Sequence, residues 1–439
     1  MSTAQTIAGR TPAQALAAWP DGVPLAALWS GGSGEHARWT VLAQPSHVRV
    51  LEPGADPAAW ARSLLPASAA KRDAIAPGWM VCLGYELGGV FEPVARGVEA
   101  SHWPLAVAVR CDDAWVCDHH RGTWHAVGSP PELEAAQPRV WRAGPLASAM
   151  GAVGYTGRAA RAVEYIRAGD VYQVNLAHEL SGPFHGSARG LFRDWVEQSG
   201  AWYGAYLEWD GADRRRAVLS ASPELFLSFD PVSRRLVTRP MKGTRPAGHS
   251  AGELEAAEKD RAELTMIVDL MRNDLGRVCD LGSVRVERAR SIERHDGLGV
   301  LQATATVVGT LSAGRTWWDV IAATFPGGSV TGAPKVRAMQ IIGELEGRAR
   351  GAYCGCVGFL SDSGAFQCNI AIRTAMIEGP PRAGTLDGVA DGTISYSVGA
   401  GIVADSDPEA EWRETMDKAA VFLRCVDASA RSISPDRAP

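Results

Sequence analysis

The stretch "ELFLSFDPVSRRLVTRPMKG", Glu224 to Gly243, sets the fold of the region that matters most. Its two apolar runs, "LFLSF" and "RLVTR", flank Asp230-Pro231-Val232-Ser233, a turn composition, so the segment is predicted to be a β-hairpin. With the turn centred there, Glu224 lies opposite roughly residue 239 or 240. Lys242 then sits a short step past the end of the same ladder, and a carboxyl and an amine come close in space. A lysine in a Pro/Gly-rich connection is ordinarily a solvated charge. Only about a thousandth of a free lysine is neutral at a pH of about 7.5. Nucleophilic use of Lys242 therefore needs a lowered pKa, from burial or from neighbouring cations. Arg239 and Arg245 are the candidate cations.

Working outward, "RAARAVEYIRAGD" reads as a helix stopped by Gly169 and followed by the strand "VYQVNLAHEL". Tyr172, Val174, Leu176 and Leu180 share one face of that strand, while Gln173 and Asn175 point to the other. Such a polar pair is either an exposed sheet surface or the floor of a site. "GELEAAEKDRAELTMIVDLMRNDLGRV" places Leu264, Ile267, Val268, Met271 and Leu275 at helical spacing, with Glu263 at the edge of the buried face. "DPEAEWRETMDKAAVFLRC" is a second amphipathic helix, started by Asp407 and Pro408, with Glu411, Glu414 and Lys418 on one stripe. Residues 378 to 392 read as a surface loop between two strands. Residues 1 to 148 hold short strand-like pieces such as "ARWTVLA" and "SHVRVLE", without a chemical motif.

Bulk composition excludes several classes. With 439 residues, 46% hydrophobic and 21% charged, the chain is ordinary globular protein in one large domain or two to three smaller ones. A net charge of −5 leaves no basic field for nucleic acid or an anionic membrane. The N-terminus does not read as a signal peptide, and no uncharged apolar stretch is long enough to span a bilayer. The eight cysteines do not form a disulfide or zinc pattern and are expected as buried, reduced thiols in a cytoplasmic protein.

Four further features bear on chemistry. Glu411 and Glu414, one helical turn apart, together with Glu263 from another helix, suit a hard cation such as Mg²⁺. On spacing alone, a solvated face with a Glu414–Lys418 pair is the commoner explanation. "FPGGSVTGAPK" has backbone N–H groups that could cradle an anion beside Lys335, without the Walker A spacing. The glycines of "VGAGIV" permit close backbone approach or a tight strand pair. Arg373, in the otherwise apolar "NIAIRTA", needs a partner: a substrate carboxylate or a structural ion pair.

Taken in order, "DVYQVNLA", "ASPELFL", "PMKGTRP", "DRAELTMIVDLMRNDLGRV", "FPGGSVTGAPKVRAMQII", "AYCGCVGFL", "IAIRT" and "VGAGIVADSDPEAEWRETMDKA" resemble the chorismate-utilising enzymes over residues 150 to about 425. That group includes anthranilate, aminodeoxychorismate, isochorismate and salicylate synthases. The resemblance implies an α+β fold, a mixed α/β sandwich of two largely antiparallel sheets flanked by helices, with the site in a cleft between subdomains. It divides the chain into an N-terminal region, 1–148, and a chorismate-binding catalytic domain, 149–428. Relatives bind tryptophan in the N-terminal region, where no pocket is legible here.

The resemblance also assigns roles. Glu263, Glu411 and Glu414 match the glutamates that hold Mg²⁺ against the substrate's ring carboxylate. Tyr353 and Arg373 match residues that hold the enolpyruvyl side chain. Thr244, Gln302, Gly399, Gly401 and Lys418 match pocket positions, and Glu224 matches the general acid at the ring carbon 4 hydroxyl. Isochorismate and salicylate synthases carry a lysine base where this chain has Gln173, which disfavours water addition. Anthranilate synthases typically read PIAGT where this chain reads "PMKGT"; the lysine is the mark of aminodeoxychorismate synthases, in which it attacks ring carbon 2. Gln302 departs from the family's frequent histidine. The implied activity is amination of chorismate by ammonia to 4-amino-4-deoxychorismate for p-aminobenzoate and folate. No nucleophilic-cysteine segment of a glutaminase is visible, so a separate glutaminase subunit is implied as the ammonia source. No lyase domain follows residue 439, so the product is expected to be aminodeoxychorismate itself. Anthranilate synthase is the alternative within the family. A catalytically silent docking or sensing subunit is the alternative outside enzymes, against which the intact acidic and basic residues speak.

Overall fold

A computed structural model describes residues 7, 9–31, 36–65, 78–95, 102–211, 214–248, 250–295, 299–381 and 387–431. The strands pair side by side, all antiparallel, into one long ladder. It starts with Gln173–Gly186, Val389–Ile402, Thr374–Gly379, Arg215–Ser222 and Tyr203–Asp210. It continues through Ala26–Trp29, Trp39–Leu51, Ala106–Asp118 and Trp79–Leu83. It then runs through Cys356–Leu360, Phe366–Asn369, Leu225–Asp230, Arg235–Arg239, Val300–Thr310 and Arg285–His295. Strands from the first 148 residues are thus hydrogen-bonded on both sides to strands from the rest of the chain. In place of the two expected sheets, all the strands of this ladder join one large antiparallel sheet.

Apolar residues locate the layers. Ala26, Val41, Val107, Leu207, Val218 and Val357 fill one core. A second core lies under the helices Glu258–Gly276 and Lys335–Glu346, with Leu264, Ile267, Ile341 and Ile342. A third lies under Ala188–Ser199 and Pro408–Arg431, with Phe192, Trp195, Phe422 and Val426. Helices cover both outer faces because each carries one apolar stripe that only a sheet face can bury.

Local expectations hold with informative exceptions. The helix Gly151–Arg167 stops before Gly169, whose φ of +87° suits glycine. Asp407 caps the helix Pro408–Arg431, its carboxylate accepting from the Ala410 N–H at 2.8 Å. The long helix expected from residue 252 breaks at Ala257 into Ala251–Ala256 and Glu258–Gly276. Leu264, Ile267, Val268, Met271 and Leu275 are all buried, as the spacing predicts. Of the loop 378–392, residues 382–386 lie outside the described residues; its flanks belong to the strands Thr374–Gly379 and Val389–Ile402. All eight cysteines are free and buried. No described helix is long and apolar enough to cross a membrane.

Candidate active site

The hairpin delivers what its register requires. Leu225 pairs with Arg239, which sets Glu224 beside Pro240 at the end of the ladder. The chain then continues as Met241–Pro246, paired with Val300–Thr310. A register shift between Met241 and Thr244 takes Lys242 and Gly243 out of the ladder. Gly243 has φ of +82°, and a Cβ there would lie 2.9 Å from Asp260. This glycine bulge turns Lys242 into the cavity.

That cavity, of about 800 Å³, is the convergence point of the sequence-predicted residues. The hairpin end supplies Glu224, Lys242 and Thr244, the helix Glu258–Gly276 supplies Glu263, and Val300–Thr310 supplies Gln302. Tyr353 and Arg373 form another wall, Gly399 and Gly401 come from the strand Val389–Ile402, and Glu411, Glu414 and Lys418 come from the last helix. That helix is held by His178, whose Nε2 lies 2.9 Å from Thr415 Oγ1 and whose ring sits 4.5 Å from the Trp412 ring. A Cβ on Gly399 would come within 2.9 Å of the Tyr353 hydroxyl, and one on Gly401 within 2.9 Å of Lys242 Nζ. Gly399, whose added Cβ would also lie 2.7 Å from the Leu176 carbonyl, is required for space, while a side chain at position 401 would displace the Lys242 amine.

The electrostatics are uneven. Burial holds Lys242 below the usual lysine pKa, and Lys418 adds repulsion, while Glu263, Glu414 and Glu224 pull the other way. Glu263 Oε2 is 3.8 Å from the amine. The cations expected to help do not face it. Arg239 bonds Glu293 and the Tyr203 hydroxyl, and Arg245 bonds Asp260 at 2.8 Å. Burial pushes the Glu224 carboxyl up to about 7, against the Ser329 hydroxyl, Lys242 and the Met241 N–H.

Arg373 is not inside a strand. It precedes Thr374–Gly379 with φ of +50°, an uncommon conformation for a non-glycine residue. No carboxylate pairs with its guanidinium among the described residues, so a structural ion pair is not its role there. Lys335 is structural: its amine bonds Asp274 Oδ2 and the Thr324 carbonyl, each at 2.6 Å, away from the cavity. The glycine-rich loop around it contributes Ser329 instead, a residue the sequence reading missed.

Gln173 and Asn175 are both buried, so their face is not an exposed sheet surface, and Asn175 lines the cavity. Gln173 Oε1, Asn175 Nδ2 and Gln302 Oε1 are buried without hydrogen-bond partners among the described residues. Gln302 Nε2 reaches the Thr244 hydroxyl at 3.4 Å. Unpaired buried amides are costly unless a ligand satisfies them. At the helix side, Ser406 donates to Glu411 at 2.6 Å and Lys418 contacts Glu414 at 2.6 Å and the Gly399 carbonyl at 3.0 Å. No three described acidic, histidine or cysteine residues cluster tightly enough to enclose an ion by themselves. Glu263, Glu411 and Glu414 nonetheless share one cavity, and oxygen donors of this kind fit a hard cation that also takes ligands from water and an anionic substrate. A second cavity of about 290 Å³ lies elsewhere, walled by Trp29, Trp39, Trp202, Phe359 and Asn369.

Comparison with known proteins bears directly on this constellation. The model of the chorismate binding enzyme family matches residues 25–424. The chain belongs to the chorismate-binding enzymes. Within that family it is 37% identical over 421 residues to anthranilate synthase component 1 of Streptomyces coelicolor, covering 86% of this chain and 78% of that one. It is 35% identical over 371 residues to aminodeoxychorismate synthase component 1 of Escherichia coli, covering 80% and 77%. Among solved structures, anthranilate synthase component I from Streptococcus pneumoniae aligns with a TM-score of 0.72 and 26% identity, over 88% of this chain and 92% of that one. The relatives divide between anthranilate synthases and aminodeoxychorismate synthases by name.

Proposed function

We propose that this chain is the aminating component of an aminodeoxychorismate synthase, converting chorismate and ammonia to 4-amino-4-deoxychorismate. The observation that carries the proposal is the Lys242 amine, its side chain 15% exposed, turned by a bulge into the same cavity as the buried Glu224 carboxyl. Burial favours the neutral amine and the protonated acid, the forms that the chemistry needs.

In this reading, the Lys242 lone pair forms a bond to ring carbon 2. The ring double bonds shift, and the carbon 4 hydroxyl leaves as water with a proton from Glu224. Ammonia then adds at carbon 4, the electron pairs return, and Lys242 departs as an amine. The new ammonium hands a proton back to the Glu224 carboxylate. Arg373 and Tyr353 hold the enolpyruvyl carboxylate, and Gln173 replaces the base that water addition would need. Glu263, Glu411 and Glu414 would hold a Mg²⁺ ion, which neutralises the ring carboxylate when bound. A separate glutaminase would supply the ammonia, and the product would serve p-aminobenzoate and folate synthesis.

The second reading, anthranilate synthase, is favoured by the 37% identity to the Streptomyces coelicolor enzyme of that name. Mass spectrometry of the products from the pure chain, chorismate, Mg²⁺ and ammonium separates the two. Aminodeoxychorismate without pyruvate is expected; anthranilate with pyruvate would overturn the proposal.

A further inference from the structure

We propose that Ser329 is a positioning residue for the general acid, fixing which oxygen of Glu224 carries the proton delivered to the departing hydroxyl. The inference deepens the reading given above and rests on Glu224 acting as the acid.

Ser329 Oγ donates to Glu224 Oε1 at 2.7 Å. An oxygen that accepts this bond is a poor place for the acid proton, which is left to Oε2. When Glu224 releases its proton, the same hydroxyl stabilises the carboxylate that forms. The contact is built rather than incidental. Ser329 lies in the short turn Gly328–Val330, closed by Thr331 Oγ1 donating to the Gly327 carbonyl at 2.9 Å. A Cβ on Gly327 would lie 2.4 Å from the Ile370 side chain, and one on Gly328 2.5 Å from that of Leu270, so a larger residue at either place would have to displace them. Beyond it, Gly332 and Ala333 pair with Val174 and Gln173. The acid is fixed from the other side: Glu224 N–H donates to Ser222 Oγ at 3.2 Å, and the Glu224 carbonyl accepts from Ile370 N–H at 3.0 Å. This accounts for the glycine-rich loop without an anion cradle.

The charged and titratable groups that act on Glu224 are Lys242 from the neighbouring strand and Cys354 from the Tyr353 wall, with Arg373 lining the same cavity. The hydroxyl of Ser329 lowers the Glu224 pKa, so its loss raises that pKa. The test follows chorismate consumption by wild type, Ser329→Ala and Ser329→Thr across pH, with products identified separately. Expected for Ser329→Ala is a fall in kcat of about 10–100-fold, the loss of one hydrogen bond to a charged group. KM should be unchanged, and the break expected for wild type at about pH 7, from the raised Glu224 carboxyl, should move to higher pH. Ser329→Thr, which keeps a hydroxyl, should restore both. An Ala variant whose break does not move, or Ala and Thr variants equally impaired, would overturn the proposal. Anthranilate as product would instead remove the amination reading and leave the role of Ser329 standing.

Discussion

The cavity has two ends built on opposite physical terms. At the hairpin end, Glu224 is 3% exposed and the Lys242 side chain 15%, and burial raises the carboxyl pKa to about 7 and lowers that of the amine. At the helix end, Glu414 and Lys418 keep 53% and 37% of their side-chain surface and pair with each other as surface charges do. In the proposed reaction the first end would exchange protons and the second would hold charge still. A bulged ladder turns a side chain inward, while the helix edge leaves Glu414 near water and buries Glu411, 7% exposed, against Ser406.

The comparison breaks most visibly at the hairpin end. Lys242→Ala should lower 4-amination by about 10³-fold or more while leaving chorismate binding nearly intact, read by product formation and by ligand titration. At the helix end, Glu414→Gln should weaken the Mg²⁺ dependence of turnover by about 10–100-fold, yet change stability by only about 0.5 kcal/mol. Equal loss of stability at both ends would erase the distinction. The smallest effect is on stability against pH. The folded Glu224 pKa is raised from 4.5 to about 7, so the native state binds the proton more tightly than the unfolded chain. Its contribution is present below about pH 4.5 and is lost as pH rises to about 7. Glu224→Gln, which does not titrate, should therefore gain Tm relative to wild type above that window and not below it.

Much of this contrast was legible in residues. The turn at Asp230 fixed a register that set Glu224 beside Pro240, and the helical spacing placed Glu411, Glu414 and Lys418 on one stripe. What the sequence hid was direction. Arg239 and Arg245 flank Lys242 along the chain but are held by Glu293 and Asp260, acidic residues far from them in sequence. Arg373 reads as a strand residue, although its left-handed backbone places it at a corner. Ser329 was hidden for a different reason. A serine among glycines carries no periodic signal, and its value lies in a contact to a residue 105 positions away. The signal that points to it is the paired glycine before it, where a side chain would have to displace Ile370 or Leu270.

The most direct test of the account is peptide mass spectrometry of the protein mixed with chorismate and Mg²⁺ without ammonia, then quenched in acid. The account predicts an added mass of chorismate less water on the peptide that contains Lys242. An adduct on another residue, or none on Lys242 while the protein goes on to form aminodeoxychorismate when ammonium is added, would contradict it.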